Sequence, residues 1–196
     1  MRNFELPGRS PVLSLNGMAA TSHPLATLTV VNVPQDGGNA IDAAIAAVAV
    51  LCVVEPQSTG IGGDCFALLS LAGSDEVIAY TGSGRSPAAA SVEWFQANGI
   101  EKIQQWSPHA VTVPGAVDAW ARLVADYGTK DVGELLQPAI AFARNGYPIA
   151  ARVVHDFAMN TDLLRRDPQA ARSPQRRVRP GILSRVPSDF FTCPYA

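Results

Sequence analysis

The chain has 196 residues, 47% of them hydrophobic and 16% charged, with a formal net charge of -2. That size and balance fit one globular domain or part of a larger one, and they point neither to nucleic acid nor to a membrane surface. Cys52, Cys65 and Cys193 are an odd number without metal-like spacing, and they read as buried thiols.

The first eleven residues lack the apolar core of roughly 7–15 residues that a secretory signal needs. The longest uncharged helical run, residues 43–54, falls short of the roughly 20 residues of a membrane span. The expectation is a cytoplasmic chain with no membrane partner. Residues 18–27 read as an extended piece followed by a loop. The β-branched run 28–33 is open between strand and helix, because its periodicity settles neither.

Residues 37–44, Gly37-Gly38-Asn39-Ala40-Ile41-Asp42-Ala43-Ala44, open a helix with no charge between Asp42 and Glu55. Asn39 is a good N-cap, and Asp42 stands where a capping box puts its acid. Glu55 before Pro56 ends the helix, since a residue before proline avoids the α region. A helix apolar on every face is expected to be buried on every side. A glycine-rich turn, Gly60-Ile61-Gly62-Gly63-Asp64, follows. Residues 65–71 and 77–81 then flank Ala72-Gly73-Ser74-Asp75 as a hairpin.

The loop Gly82-Ser83-Gly84-Arg85-Ser86-Pro87 comes directly after. Pro114 fits a first helical position, with Val117, Trp120, Ala121 and Val124 as the apolar face. Asp118 and Arg122 form an i,i+4 pair, and Gly128 is a stop. A second helical stretch starts near Val132, resets at Pro138 and closes at Asn145-Gly146. The two are expected to pack on the sheet as an antiparallel pair.

From Arg165 to Arg185 the character changes. Arg165, Arg166, Arg172, Arg176, Arg177, Arg179 and Arg185 are accompanied by a single acid, Asp167. Residues 1–167 therefore form one unit, and residues 168–196 an Arg/Pro-rich tail expected to be disordered. Such a tail could bind phosphate backbones as a non-catalytic module. Prolines interrupt it, however, and no aromatic residues interleave, so no nucleic-acid partner is expected.

Among residues that could carry chemistry, Arg85 stands out. Its Gly-Ser-Gly turn is expected to use φ > 0 and to bring the arginine out of a strand end with little cover. A guanidinium presents a planar fork that matches a carboxylate bidentately. The glycines at 60, 62 and 63 have no following Gly-Lys-Ser/Thr, so they are no phosphate cradle. His23, His109 and His155 show no metal-ligand spacing, and neither a metal nor a cofactor is expected. Ser22-His23 suggests a nucleophile and base, but sequence neighbours rarely face each other usefully.

The chain resembles the gamma-glutamyltransferase family (gamma-glutamyltranspeptidase, glutathione hydrolase) at Ser22-His23-Pro24-Leu25-Ala26, at residues 37–44 and at residues 55–63. The resemblance continues through Gly84-Arg85-Ser86-Pro87-Ala88, Val113-Pro114-Gly115 and residues 134–140, in unbroken order from Gly17 to Asp167. It implies an α+β fold, part of the αββα sandwich of N-terminal-nucleophile hydrolases. It also implies that Arg85 grips the α-carboxylate of a γ-glutamyl group.

Many family members read Asp-Gly-Arg-Glu where this chain reads Ser83-Gly84-Arg85-Ser86. That leaves a cephalosporin or glutaryl acylase of the same superfamily as the alternative. The family's nucleophile is a threonine, freed by self-cleavage at the start of a small subunit, within a Thr-Thr-His-like motif. Thr161 and Thr192 stand in the wrong context for it. The resemblance thus implies a truncated large subunit without a catalytic residue of its own, inactive alone, whose partner is the missing C-terminal part. Residues 179–187 faintly echo similar proteins and the echo then fades, which suggests a frameshift or early stop. A fragment of an open sheet should expose unpaired edges and apolar faces.

Overall fold

The computed structural model describes residues 12–168 and 183–184. It is a mixed helix and sheet structure built around one helix. Helices α1 (Pro24–Gln35) and α2 (Ala40–Val54) lie against each other, and α2 also packs on α4 (Ala116–Tyr127), α5 (Val132–Leu135) and α6 (Gln137–Asn145). Strands β1 (Cys65–Leu69) and β2 (Ile78–Gly82) form an antiparallel hairpin, with Cys65 opposite Gly82 and Leu69 opposite Ile78. Helix α3 (Val92–Ala97) and a short 3-10 turn (Pro108–Ala110) lie on an excursion between β2 and α4. Strand β3 (Tyr147–Pro148), helices α7 (Ala151–Met159) and α8 (Thr161–Leu164), and strand β4 (Leu183–Ser184) complete the described chain.

The β-branched run 28–33 lies within α1. That helix begins at Pro24, inside the stretch expected to be loop, because His23 caps it: its Nδ1 accepts the Leu25 N–H at 3.2 Å. The capping box of α2 forms as the sequence implies. Asn39 Oδ1 accepts from the N–H groups of Ile41 and Asp42, and Asp42 Oδ2 accepts the Asn39 N–H at 2.8 Å. Such a cap stabilises a helix by about 1 kcal/mol.

Burial of α2 is less complete than its composition implies. Ala43, Ile45, Ala46, Ala47, Ala49, Val50 and Val54 are buried, while Ala40 and Ala44 are exposed and Val48, Leu51 and Cys52 half-buried. The half-buried residues pack against the rim of the core, and only Ala40 and Ala44 stay uncovered among the described residues. Full burial of a side chain such as Val50 is worth about 1.5–3 kcal/mol.

Helix α4 differs in two respects. It starts at Ala116 behind Gly115 rather than at Pro114, because the N–H groups of Gly115 and Ala116 both donate to Gly63 O, at 3.1 and 3.0 Å. Its buried face is Ala116, Ala119, Trp120, Leu123 and Val124, with Val117 and Ala121 exposed. The small residues face inward because the hairpin passes very close: a Cβ on Gly82 would sit 2.4 Å from Ala119 Cβ.

Asp118 and Arg122 pair at 2.9 Å. Helix α4 does pack on both hairpin strands, but α6 packs on α2 instead of the sheet, so the two helices do not form a pair over the hairpin. Helix α6 ends at Gly146, whose φ of 87° suits glycine.

One face of the hairpin is turned to the helices; on the other, Phe66 and Leu68 are 69% and 77% exposed. An apolar sheet face is thus open among the described residues, as expected. In the segment 168–196, Leu183 and Ser184 pair with Pro148 and Tyr147. The readings made on Arg172, Arg176, Arg177, Arg179, Arg185, Thr192 and Cys193 lie outside the described residues. No described helix is long and apolar enough to cross a membrane.

Candidate functional site

Three strands of backbone converge where the hairpin opens toward α4. They are the entry to β1 at residues 62–64, the exit from β2 at residues 82–85, and the approach to α4 at residues 112–116. Besides the two bonds to Gly63 O, the Val113 N–H donates to Arg85 O at 3.1 Å. Asp64 Oδ1 accepts both the Gly84 N–H at 3.1 Å and the Thr112 hydroxyl at 3.0 Å. Arg85 leaves this junction exposed. None of the hydrogen bonds or ion pairs among the described residues engages its guanidinium. A planar cation held on a fixed backbone and left open to solvent is suited to a carboxylate.

The glycines around it serve a different purpose from the one their spacing implies. Neither Gly82 nor Gly84 has a positive φ. They are needed for close approach: a Cβ on Gly84 would lie 1.4 Å from Val113 O, and one on Gly115 would lie 2.4 Å from Gly82 O. Gly60 and Gly62 are exposed with open space where a Cβ would go, so the turn 60–63 meets the site through the Gly63 carbonyl and Asp64 rather than by packing. Sequence reasoning passed over Asp64, although an acid directly after paired glycines at a strand entry was a visible signal.

The excursion from Ser86 to Val111 leaves and returns at this junction. Its interior is fastened by three rings, Trp94, Phe95 and His109, in edge-on contacts with centroids 5.3–5.6 Å apart. Trp106 on the same excursion is 69% exposed.

The other candidates are committed elsewhere. Ser22 Oγ donates to Glu55 Oε2, tying the start of α1 to the end of α2, while His23 is buried and spends Nδ1 on its helix cap. Burial pushes the His23 imidazole below its ordinary value of 6.5, with nearby Glu55 acting weakly against it. Cys52 and Cys65 are half-buried, and burial pushes both thiols up, opposed at Cys52 by the Thr59 hydroxyl 4.0 Å away. Neither is poised as a nucleophile. Thr161 Oγ1, at the start of α8, donates to Phe157 O near the end of α7.

The gamma-glutamyltranspeptidase family profile matches residues 26–178. The chain is 34% identical over 160 residues to the glutathione hydrolase-like YwrD proenzyme of Bacillus subtilis, covering 82% of this chain and 30% of that protein. It therefore spans about a third of the length of that curated relative.

Among solved structures, the gamma-glutamyltranspeptidase of Helicobacter pylori superposes with a TM-score of 0.81 at 32% identity, covering 89% of this chain and 52% of that one. The cephalosporin acylase of Bacillus halodurans superposes with a TM-score of 0.77 at 35% identity, covering 91% of this chain and 36% of that one.

Proposed function

The chain belongs to the gamma-glutamyltranspeptidase family, and on that premise we propose that it forms the carboxylate-anchoring part of an enzyme that hydrolyses or transfers γ-glutamyl groups. The observation that carries this reading is Arg85, exposed and unpartnered among the described residues at the end of β2, on a backbone fixed from three sides. Its guanidinium grips the α-carboxylate of the γ-glutamyl group. The scissile γ-carbonyl is thereby held at one distance and direction from the anchor.

The 196 residues contain no Thr-Thr-His sequence. In this reading a second segment supplies the threonine. Its hydroxyl attacks the γ-carbonyl while its own α-amino group, with an ordinary pKa of about 7.7–8.0, takes the proton. The proton then passes to the departing amine, and the acyl-enzyme is released to water or to another amine.

A second reading is favoured by the loop Ser83-Gly84-Arg85-Ser86 and by the likeness to the cephalosporin acylase of Bacillus halodurans. In that case a glutaryl side chain presents its terminal carboxylate to the same arginine, with no α-amino group.

The test joins this chain to the C-terminal part of the Bacillus subtilis relative and follows anilide release from γ-glutamyl and glutaryl substrates. Losing a charge-assisted bidentate contact costs about 2–4 kcal/mol, so Arg85→Ala should raise KM strongly, with Arg85→Lys in between. Unchanged kinetics in both variants would remove Arg85 from the substrate site. The ratio of γ-glutamyl to glutaryl turnover decides between the two substrates. The 196-residue chain alone should release no amine above background, since loss of a nucleophile costs several orders of magnitude.

A further inference from the structure

The hydrogen bonds that reach the backbone beside Arg85 from distant segments come from peptide groups, with one exception. Asp64 Oδ1 takes the Gly84 N–H and the Thr112 hydroxyl together. Gly84 immediately precedes Arg85, and Thr112 immediately precedes Val113, whose N–H holds the Arg85 carbonyl. A single carboxylate oxygen therefore clasps the outgoing and the returning ends of the 86–111 excursion. Without it, of the bonds described here only the one from Val113 to Arg85 links those two ends.

The carboxylate does not engage the arginine's charge: no ion pair joins Asp64 to Arg85 among the described residues. Its influence on the anchor passes through the peptide of Gly84. Asp64 is exposed, so it is not held there by a hydrophobic core. Charge-assisted bonds to N–H and O–H donors are the stronger kind, which suits a clasp working in contact with water.

We propose that Asp64 is a positioning residue for Arg85: it sets the direction in which the guanidinium leaves the junction and so tunes recognition of a dicarboxylic acyl group. This rests on the reading of Arg85 as the carboxylate anchor. A misdirected anchor loses affinity for carboxylates without loss of fold. The stability of the chain depends on α2 and its partners, whereas Asp64 stands at the exposed rim of the hairpin.

The experiment uses the isotopically labelled 196-residue chain, with glutarate as the probe and the backbone amide resonance of residue 85, present with arginine or lysine there, as the readout. In the wild type, glutarate shifts that resonance. Asp64→Ala should weaken glutarate binding about tenfold, and Asp64→Asn, which keeps one acceptor oxygen, only about two- to threefold. The melting midpoint of Asp64→Ala should stay near that of the wild type, and the Gly84 and Val113 amides should exchange faster. In an Arg85→Lys background, Asp64→Ala should weaken binding no further, a coupling that a purely structural role would not give.

Should Asp64→Ala fail to fold, Thr112→Val carries the comparison. Weakened glutarate binding then supports the clasp and wild-type binding overturns it. Unchanged affinity in Asp64→Ala, with affinity lost in Arg85→Lys, overturns the role of Asp64 and leaves the anchor standing. Wild-type affinity in Arg85→Lys removes the anchor itself, and the proposal with it.

Discussion

Asp42 supports the most demanding test of how the chain holds together. Its carboxylate is fully buried at the first turn of α2, yet it reaches the loop after α4. It accepts the N–H groups of Asn39 at 2.8 Å, Thr129 at 3.1 Å and Lys130 at 3.3 Å, and the Thr129 hydroxyl at 2.6 Å. Gly128 makes room for it, since a Cβ there would lie 2.7 Å from Asp42 Oδ1.

Replacing Asp42 by alanine strands those three amide donors. At roughly 1–3 kcal/mol for each unsatisfied buried donor, with partial rescue by water, the cost should be about 3–5 kcal/mol. Asp42→Asn keeps one acceptor but turns an NH2 toward other donors, so it should cost about half as much.

The pH dependence supplies a second reading of the same site. Burial pushes the Asp42 carboxyl up, but the hydrogen bonds from Thr129, Asn39 and Lys130 together outweigh it and leave it below the ordinary 3.8. A depressed folded value means the contribution is fully present above about 3.8 and is lost as pH falls through the lower folded value. Urea unfolding of wild type and variants at neutral pH, with slopes compared, measures the loss; the same experiment at descending pH should show a shallower acid limb in Asp42→Asn. A cost below about 1 kcal/mol for Asp42→Ala would refute the reasoning.

Three further outcomes follow from the geometry. Gly84→Ala places a methyl against the Val113 backbone, so it should cost about 1–3 kcal/mol or more and free the Arg85 loop, seen as faster proteolysis between residues 86 and 111; wild-type stability would show that the crossing is looser. His23 has a lowered folded value, so its contribution is full above the unfolded 6.5 and erodes as pH falls below it; His23→Asn, which keeps an N-cap without titrating, should flatten stability between about pH 5 and 7, and an unchanged slope there would assign the dependence elsewhere. Phe66→Thr with Leu68→Thr should cut binding of a hydrophobic dye while leaving stability within about 0.5 kcal/mol; unchanged fluorescence would mean the open sheet face is covered.

The local parts of this fold were readable because their signals are local. The capping box of α2 lies within four residues, and the hairpin declares itself through two apolar runs around Gly73, whose φ is 79°. Misreadings came where a distant segment decides a local choice. Val117 looks like a core residue by hydropathy, but the close passage of Gly82 selects Ala116 and Ala119 for the inner face, and hydropathy is blind to that preference for small side chains. Pro114 looks like a helix start, but two amides bound to Gly63 O place the start at Ala116.

The candidate site divides along the same line. In local sequence only its Gly-Ser-Gly turn marks Arg85, and its place in an ordered set of family-like motifs carries more of the weight. Its glycines were read for positive φ and serve instead for contact between backbones, a distinction that dihedral preference alone cannot make. Asp64 and Thr112 stand 48 positions apart and meet on one oxygen, so neither residue's neighbours announce the clasp. A site assembled from three backbone crossings is written in small residues and single polar atoms. Substitutions that add one methyl or remove one oxygen there should therefore reach Arg85 without touching the guanidinium.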